Sequence, residues 1–315
     1  MNSGPTISDI RAAATRIAPF IHRTPVLTSR ALDAFCGASV FLKCENLQKG
    51  GAFKIRGATN AVFSLSPDEA ARGVATHSSG NHAAALALAA GWRGIPAYVV
   101  MPDNSPQVKC DAVAGYGAEI TFCQPTLPAR EDGLQRVVAR TGATFIPPYN
   151  DVRIIAGQGT AALELCQDVP GLDAILAPVG GGGLLSGTAI SAVSQANPVR
   201  VFGAEPAGAD DAHRSFHAGR IIPLEKAATI ADGLRTSLGD KTFPIIRRYV
   251  EDILTVSEDA IIVAMRFVWE RLKIIIEPSS AVPIAALLEH RPPGRHVGII
   301  ISGGNSDLTK LPWIQ

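Results

Sequence analysis

From residue 74 onward this chain alternates short apolar runs with longer stretches of helical period. Residues 74–77, 97–101, 119–122 and 144–146 read as buried strands, and residues 81–90, 106–114 and 130–140 between them as helices. The first of these helices is rich in alanine and is expected to stop at Gly91. The alternation resumes after Asp151, with a helix over 157–167, a strand over 174–177, a helix over 184–195 and a strand over 199–204. An irregular stretch over 213–242 precedes helices at 258–272 and 279–289 and a last strand at 297–301. Near the start, residues 6–18 predict a helix capped by Thr6 or Ser8 and closed by Pro19, and residues 39–43 a strand. Strands alternating with helices make parallel sheets covered on both faces. The expected fold class is α/β, with two lobes of twisted, mostly parallel sheet. Residues 73–149 form the smaller, mobile lobe and residues 1–72 and 150–315 the larger. The cleft between them is the expected ligand site.

Composition narrows the classes. The chain has 315 residues, 47% hydrophobic, which is ample for a large core. Its 29 basic and 28 acidic side chains leave a net charge of +1 and no charge block, so neither nucleic acid nor a membrane surface is an expected partner. The apolar runs are too short to span a bilayer. Cys36, Cys44, Cys110, Cys123 and Cys166 are widely spaced and form no CxxC pair, which points to reduced thiols in a cytoplasmic protein. The first six residues carry no signal-peptide pattern.

Five segments carry candidate chemistry. Lys54 sits in Gly-Gly-Ala-Phe-Lys-Ile-Arg-Gly-Ala, among small and apolar neighbours. An amine in such a setting loses basicity on burial, and a neutral amine attacks carbonyls. The plain alternative is a surface lysine beside Arg56. Gly180, Gly181, Gly182 and Gly183 stand between a predicted strand and helix, where backbone N–H groups converge on an anion. The run lacks the Lys-Ser/Thr ending of a triphosphate loop and the GxGxxG spacing of a dinucleotide site. Ser78-Ser79-Gly80-Asn81-His82 also joins a strand to a helix, and Ser302-Gly303-Gly304-Asn305 follows the last strand. Helix capping and a turn would explain each of these alone. Glu205, Asp210 and Asp211 cluster after a strand and suit a hard cation, or a solvated turn.

The Lys54 segment and residues 78–82, 180–183 and 302–305, together and in this order, resemble the serine racemase and serine/threonine dehydratase family of fold-type II pyridoxal-phosphate enzymes. The similarity runs from about residue 6 to residue 309 and includes Ala156-Gly157-Gln158-Gly159-Thr160, Ile230-Ala231-Asp232-Gly233 and Ile276-Glu277-Pro278-Ser279. The resemblance implies a tryptophan synthase β-like fold with pyridoxal 5'-phosphate in the interlobe cleft. Lys54 would anchor the cofactor as a Schiff base, with Phe53 beside the ring and Asn81 on its 3′-oxygen. Gly180, Gly181, Gly182, Gly183 and the N–H of Leu184 would hold the phosphate, and Ser302 the pyridine nitrogen. Gly233 and Glu277 would complete the cofactor site. Ser79 would face Lys54 across the ring. Ser78, Asn81 and His82 would gather at the substrate carboxylate, with Arg130 at the closing cleft and Tyr149 at the side-chain pocket. Glu205, the Ala209 carbonyl and Asp211 would bind Mg²⁺, Ca²⁺ or Mn²⁺.

The implied activity is dehydration of a small L-β-hydroxy amino acid, first L-threonine or L-serine, to a 2-oxo acid and ammonia. A neutral hydroxyl at Ser302 favours prompt elimination over a long-lived carbanion. Ser79 keeps amino-acid racemisation open, alone or in the same site, and hydroxyaspartate and aryl-serines are further substrates. Gly50 and Ala52 replace Thr and Ser of many relatives, and Ala84 replaces the glutamine of nucleotide-activated racemases, so ATP activation is not expected. Residues 147–151 resemble the dehydratase form. The family implies a homodimer, and no regulatory domain is expected after Gln315. A nucleotide-dependent dehydrogenase would leave Lys54 unexplained, and a non-catalytic binding protein would leave both Lys54 and Ser79 so.

Overall fold

The computed structural model describes residues 4–290 and 294–314. Residues 1–3, read above for a targeting signal, and Gln315 lie outside them.

Helix α1 (Ile7–Ile17) opens on a capping box between Thr6 and Asp9, so Thr6 and not Ser8 is the cap. Strand β1 (Val26–Leu27), helix α2 (Arg30–Cys36) and strand β2 (Ser39–Cys44) follow. Helices α3 (Lys54–Phe63) and α4 (Pro67–Arg72) come next, and the residue pattern predicts neither. Every position of α3 from Ile55 to Val62 is buried, so the helix has no polar face and no readable period.

Strand β3 (Val74–His77), helix α5 (Asn81–Arg93), strand β4 (Ala97–Pro102), helix α6 (Gln107–Gly115), strand β5 (Glu119–Cys123), helix α7 (Leu127–Thr141) and strand β6 (Thr144–Phe145) build a sheet of order β5-β4-β3-β6, parallel throughout. The expected stop at Gly91 is corrected. Helix α5 runs on to Gly94, whose φ of 70° supplies the left-handed cap that ends a helix. Ile55, Ala58, Ala61 and Val62 of α3 share one cluster with Val74, Leu86, Ala97 and Ile146, so α3 is part of the wall behind this sheet.

Helix α8 (Val152–Asp168) starts ahead of the expected residue 157, because Asp151 caps it through the Arg153 N–H. Strand β7 (Ala174–Pro178), helix α9 (Gly183–Val193), strand β8 (Arg200–Pro206), helix α10 (Asp211–Ala218) and helix α11 (Thr242–Tyr249) follow. Helix α10 occupies the front of the stretch expected to be irregular. Strand β9 (Asp252–Val256), helix α12 (Glu258–Leu272), helix α13 (Pro278–Glu289) and strand β10 (His296–Ile301) complete a six-stranded sheet of order β1-β2-β10-β7-β8-β9. Only β1 and β2 pair antiparallel. Alternate residues feed opposite faces. Leu176 and Ile299 join α12 and α13, whereas Ile175 and Ile300 join α8 and α9.

Helix α3 is clamped from below. A Cβ on Gly157 would come within 2.6 Å of the Gly57 Cα, so α3 and α8 cross backbone to backbone. The cysteines are all free, and burial pushes the Cys36, Cys44 and Cys166 thiols up to about 12. Among the described residues no helix is long and apolar enough to cross a membrane.

Candidate active site

Lys54 is the first residue of α3. Its Nζ donates to the Pro148 carbonyl at 2.8 Å and stands 5.1 Å from the centre of the Phe53 ring. Burial lowers its pKa to about 8, with the Glu277 carboxylate pulling the other way. Arg56, two residues on, is fully buried and not the solvent neighbour its sequence suggests. Its guanidinium bonds Glu45 at 2.7 and 2.8 Å and Glu164 at 2.7 and 2.8 Å. Lys43, also fully buried, reaches Glu164 at 2.8 Å. Removing one member of such a network would strand a buried charge, at about 3–5 kcal/mol. The network therefore ties α3, and with it Lys54, to β2 and α8. No motif betrays it, since its members come from residues 43, 45, 56 and 164.

The elements that expectation assembles around Lys54 do meet. Tyr149 follows Pro148, and a Cβ on Gly181 would lie 2.3 Å from its ring. A Cβ on Gly180 would lie 3.0 Å from the Leu234 Cα, beside Gly233. The glycines thus let two walls close on the loop, and all four are buried. Gly182, at φ 87°, caps α9, and Leu184 is the second residue of that helix, so its N–H is among those without an intrahelical acceptor. The Gly233 N–H donates to Ser279 at 3.2 Å. Ser302 is buried, its hydroxyl 3.0 Å from that of Ser280, while its carbonyl accepts from the Phe53 N–H at 2.9 Å. Among the described residues no carboxylate bonds Ser302. Ser280 is a site residue the motif reading missed.

The turn from Ser78 to Asn81 leads into α5. Asn81 Nδ2 donates to both oxygens of Glu277 at 3.1 Å, and its Oδ1 accepts from Asn305 at 3.0 Å. Burial raises Glu277 to about 7, against the Asn81 hydrogen bonds. The Asn81 and His82 N–H groups open the helix without intrahelical acceptors. His82 itself is neutral. Burial, and then the Lys54 amine, lower its pKa to about 3. Its Nε2–H donates to the Ile146 carbonyl at 3.0 Å, so Nδ1 is left an acceptor. The side chain accordingly offers an anion no proton, and the backbone N–H groups are the donors of this turn. The Ser79 hydroxyl is partly exposed and has no side-chain partner among the described residues.

Arg130, on α7, lies near His77 and Cys123, the last residues of β3 and β5, and helps to depress the His77 imidazole after burial does so. The carboxyl ends of parallel strands face the ligand crevice. Its Nε is buried with no hydrogen-bond partner, and it makes no ion pair among the described residues. Lys109 of α6 reaches Asp232, which lies between β8 and β9 of the six-stranded sheet, at 2.9 Å.

Glu205 and Asp211 are both buried, and Ala209 with them. Burial raises Glu205 to about 9 and Asp211 to about 7. Asp211 Oδ2 has no hydrogen-bond partner among the described residues, whereas Asp210 turns away to bond Arg214 at 2.8 Å.

A lysine of lowered basicity, a glycine-lined helix start and a hydroxyl at a strand end, on a scaffold of two mostly parallel sheets, define the class of fold-type II pyridoxal-phosphate enzymes. The profile of the pyridoxal-phosphate dependent enzyme family matches residues 17–303. A β-hydroxyaspartate dehydratase of Paracoccus denitrificans (strain Pd 1222) is 52% identical over 311 residues, 98% of this chain and 99% of the relative. A serine racemase of Arabidopsis thaliana is 52% identical over 312 residues, 97% of this chain and 94% of the relative. The solved structure of maize serine racemase matches with a TM-score of 0.96 at 47% identity, covering 98% of this chain and 95% of that one. The chain belongs to the pyridoxal-phosphate dependent enzyme family, in the group that holds serine racemases and β-hydroxy amino acid dehydratases.

Proposed function

We propose that this enzyme dehydrates a small L-β-hydroxy amino acid to a 2-oxo acid and ammonia, and that racemisation of the α-carbon is the second outcome of the same site. The observation that carries the reading is the Lys54 amine, lowered to about 8 and aimed by the Pro148 carbonyl. A base with a pKa near working pH is partly neutral and still strong enough to take a proton. The residues present fit pyridoxal phosphate: a nucleophilic amine, a cradle of backbone N–H groups at the start of α9, and the neutral Ser302 hydroxyl. When bound, the cofactor supplies the electron sink for the substrate α-carbon. Lys54 would take the α-proton, which with the β-hydroxyl makes up the elements of water lost, and the enamine product would hydrolyse to the 2-oxo acid and ammonia. The N–H groups of Asn81 and His82 orient the substrate carboxylate at the head of α5.

Among β-hydroxy amino acids, hydroxyaspartate suits the cleft better than threonine or serine. Arg130 brings an uncompensated guanidinium to the strand ends, and a second carboxylate on the substrate would pair with it. The name of the Paracoccus relative supports the same substrate. Arg130→Met is expected to raise KM for β-hydroxyaspartate by roughly 10–100-fold, as the loss of a charged hydrogen bond predicts. KM for L-serine should change little. Equal loss on both substrates would sink the dicarboxylate reading. A panel of L- and D-β-hydroxy amino acids, assayed in parallel for 2-oxo acid and for chirality, tests the function as a whole. The elimination reading fails if every substrate is racemised and none yields a 2-oxo acid.

Glu205, Asp211 and the Ala209 carbonyl fit a hard divalent cation. Two buried carboxyls of raised pKa and one orphaned oxygen are what such an ion would relieve. Mg²⁺ at about 100 times its Kd should stabilise the chelator-treated enzyme by about 2.7 kcal/mol, a rise of several degrees in Tm. Glu205→Ala should abolish the rise. A Tm indifferent to Mg²⁺ and to chelator would contradict the assignment.

A further inference from the structure

A second cluster lies on the outer face of α10, away from the Lys54 cleft. His213 and His217 stand one helical turn apart on the same helix face, their ring centroids 4.3 Å apart at 65°. Asp252, the first residue of the edge strand β9, comes up beside them, with His217 Nε2 at 3.3 Å from its Oδ1. One ligating atom from each of the three lies within 4.8 Å of the others, and among the described residues no other trio of histidine, cysteine or carboxylate side chains does so. The Nδ1 of His213 is 2.7 Å from the Ile253 carbonyl. A bond of that kind fixes the ring and its tautomer, leaving Nε2 with its lone pair, and it is how ligating histidines are held. The neighbouring cations are engaged elsewhere. Arg214 bonds Asp210, and Arg247 bonds the Phe216 carbonyl.

We propose that His213, His217 and Asp252 form a binding site for a borderline divalent transition-metal ion of the Zn²⁺ class. Two imidazoles and one carboxylate suit Zn²⁺, Ni²⁺ or Cu²⁺ and not Mg²⁺ or Ca²⁺, which prefer oxygen ligands. Three protein ligands leave an open position for water. The ion would clamp α10 to β9. The His213 N–H donates to Glu205, so the clamp would bear on the helix that carries Asp211.

The test is calorimetric titration of Zn²⁺ into the holoenzyme with Mg²⁺ held saturating, so that hard-cation sites are filled. Wild-type protein is expected to take up one Zn²⁺ per chain with a rise in Tm. His217→Ala and Asp252→Asn should each weaken that binding by roughly tenfold or more. His217 is exposed and Asp252 half-exposed, and an asparagine keeps the oxygen that accepts from the Ile253 N–H, so the variants should fold and keep the parent Tm without zinc. Absence of zinc binding, or an isotherm unchanged in both variants because zinc sits at cysteines or elsewhere, would overturn the proposal.

Discussion

Lys54→Ala is expected to remove the visible absorbance of the purified enzyme and to lower turnover by roughly 10³-fold or more, since it deletes both the covalent anchor and the general base. The geometry makes this the most damaging single change in the cleft. The amine is held by one carbonyl and lowered to about 8 mainly by burial, and nothing else nearby can replace it. His82 is a spent imidazole with a pKa of about 3, and Glu277 is committed to Asn81. Lys54→Arg should be as inactive, because a guanidinium keeps its proton at every working pH. The cofactor-free protein adds a readout that is independent of activity. Lys54 falls from 10.5 to about 8 on folding, so below pH 8 both states are protonated and the burial penalty is complete. The Lys54 penalty should lift as the pH climbs from about 8 to 10.5, so over that window the wild type should gain stability relative to Lys54→Ala. Turnover within tenfold of wild type in the alanine variant would remove Lys54 from the chemistry.

Ser79→Ala should divide the two activities. Alanine can neither give nor take a proton, so any racemisation should fall by roughly 10²-fold or more, while dehydration of the L-substrate stays within about threefold. The substitution is structurally mild, because the Ser79 hydroxyl is partly exposed and has no side-chain partner among the described residues. Loss of fold therefore does not compete as an explanation. Equal losses in both reactions would mean that Ser79 is no face-specific acid or base. Unchanged racemisation would mean that the second proton comes from another group.

The strands other than β1 and β9 were legible because short apolar runs bounded by turns have few other uses. The four glycines, Ser79 and Ser302 were legible because each lies at the end of a predicted element, and Lys54 because it is a single amine among small and apolar neighbours. Helix α3 was not, although it carries Lys54, because a helix buried on all sides shows no period. Gly91 and Gly94 look alike in the sequence, and only the left-handed backbone at Gly94 says which one stops the helix. Asp210 and Asp211 are adjacent, yet one pairs with Arg214 and the other turns an unpartnered oxygen inward.

The chain by itself determined the fold class, the order of the motifs and the family, because periodicity and side-chain chemistry are local properties written residue by residue. Only the tertiary structure decided how basic Lys54 is, that Arg56 anchors it from a buried ion network, that His82 is neutral and Arg130 uncompensated, and that His213, His217 and Asp252 meet. Each of these depends on desolvation and on partners tens to hundreds of residues away. Burial and charge pairing are set by the folded surroundings and have no local signature.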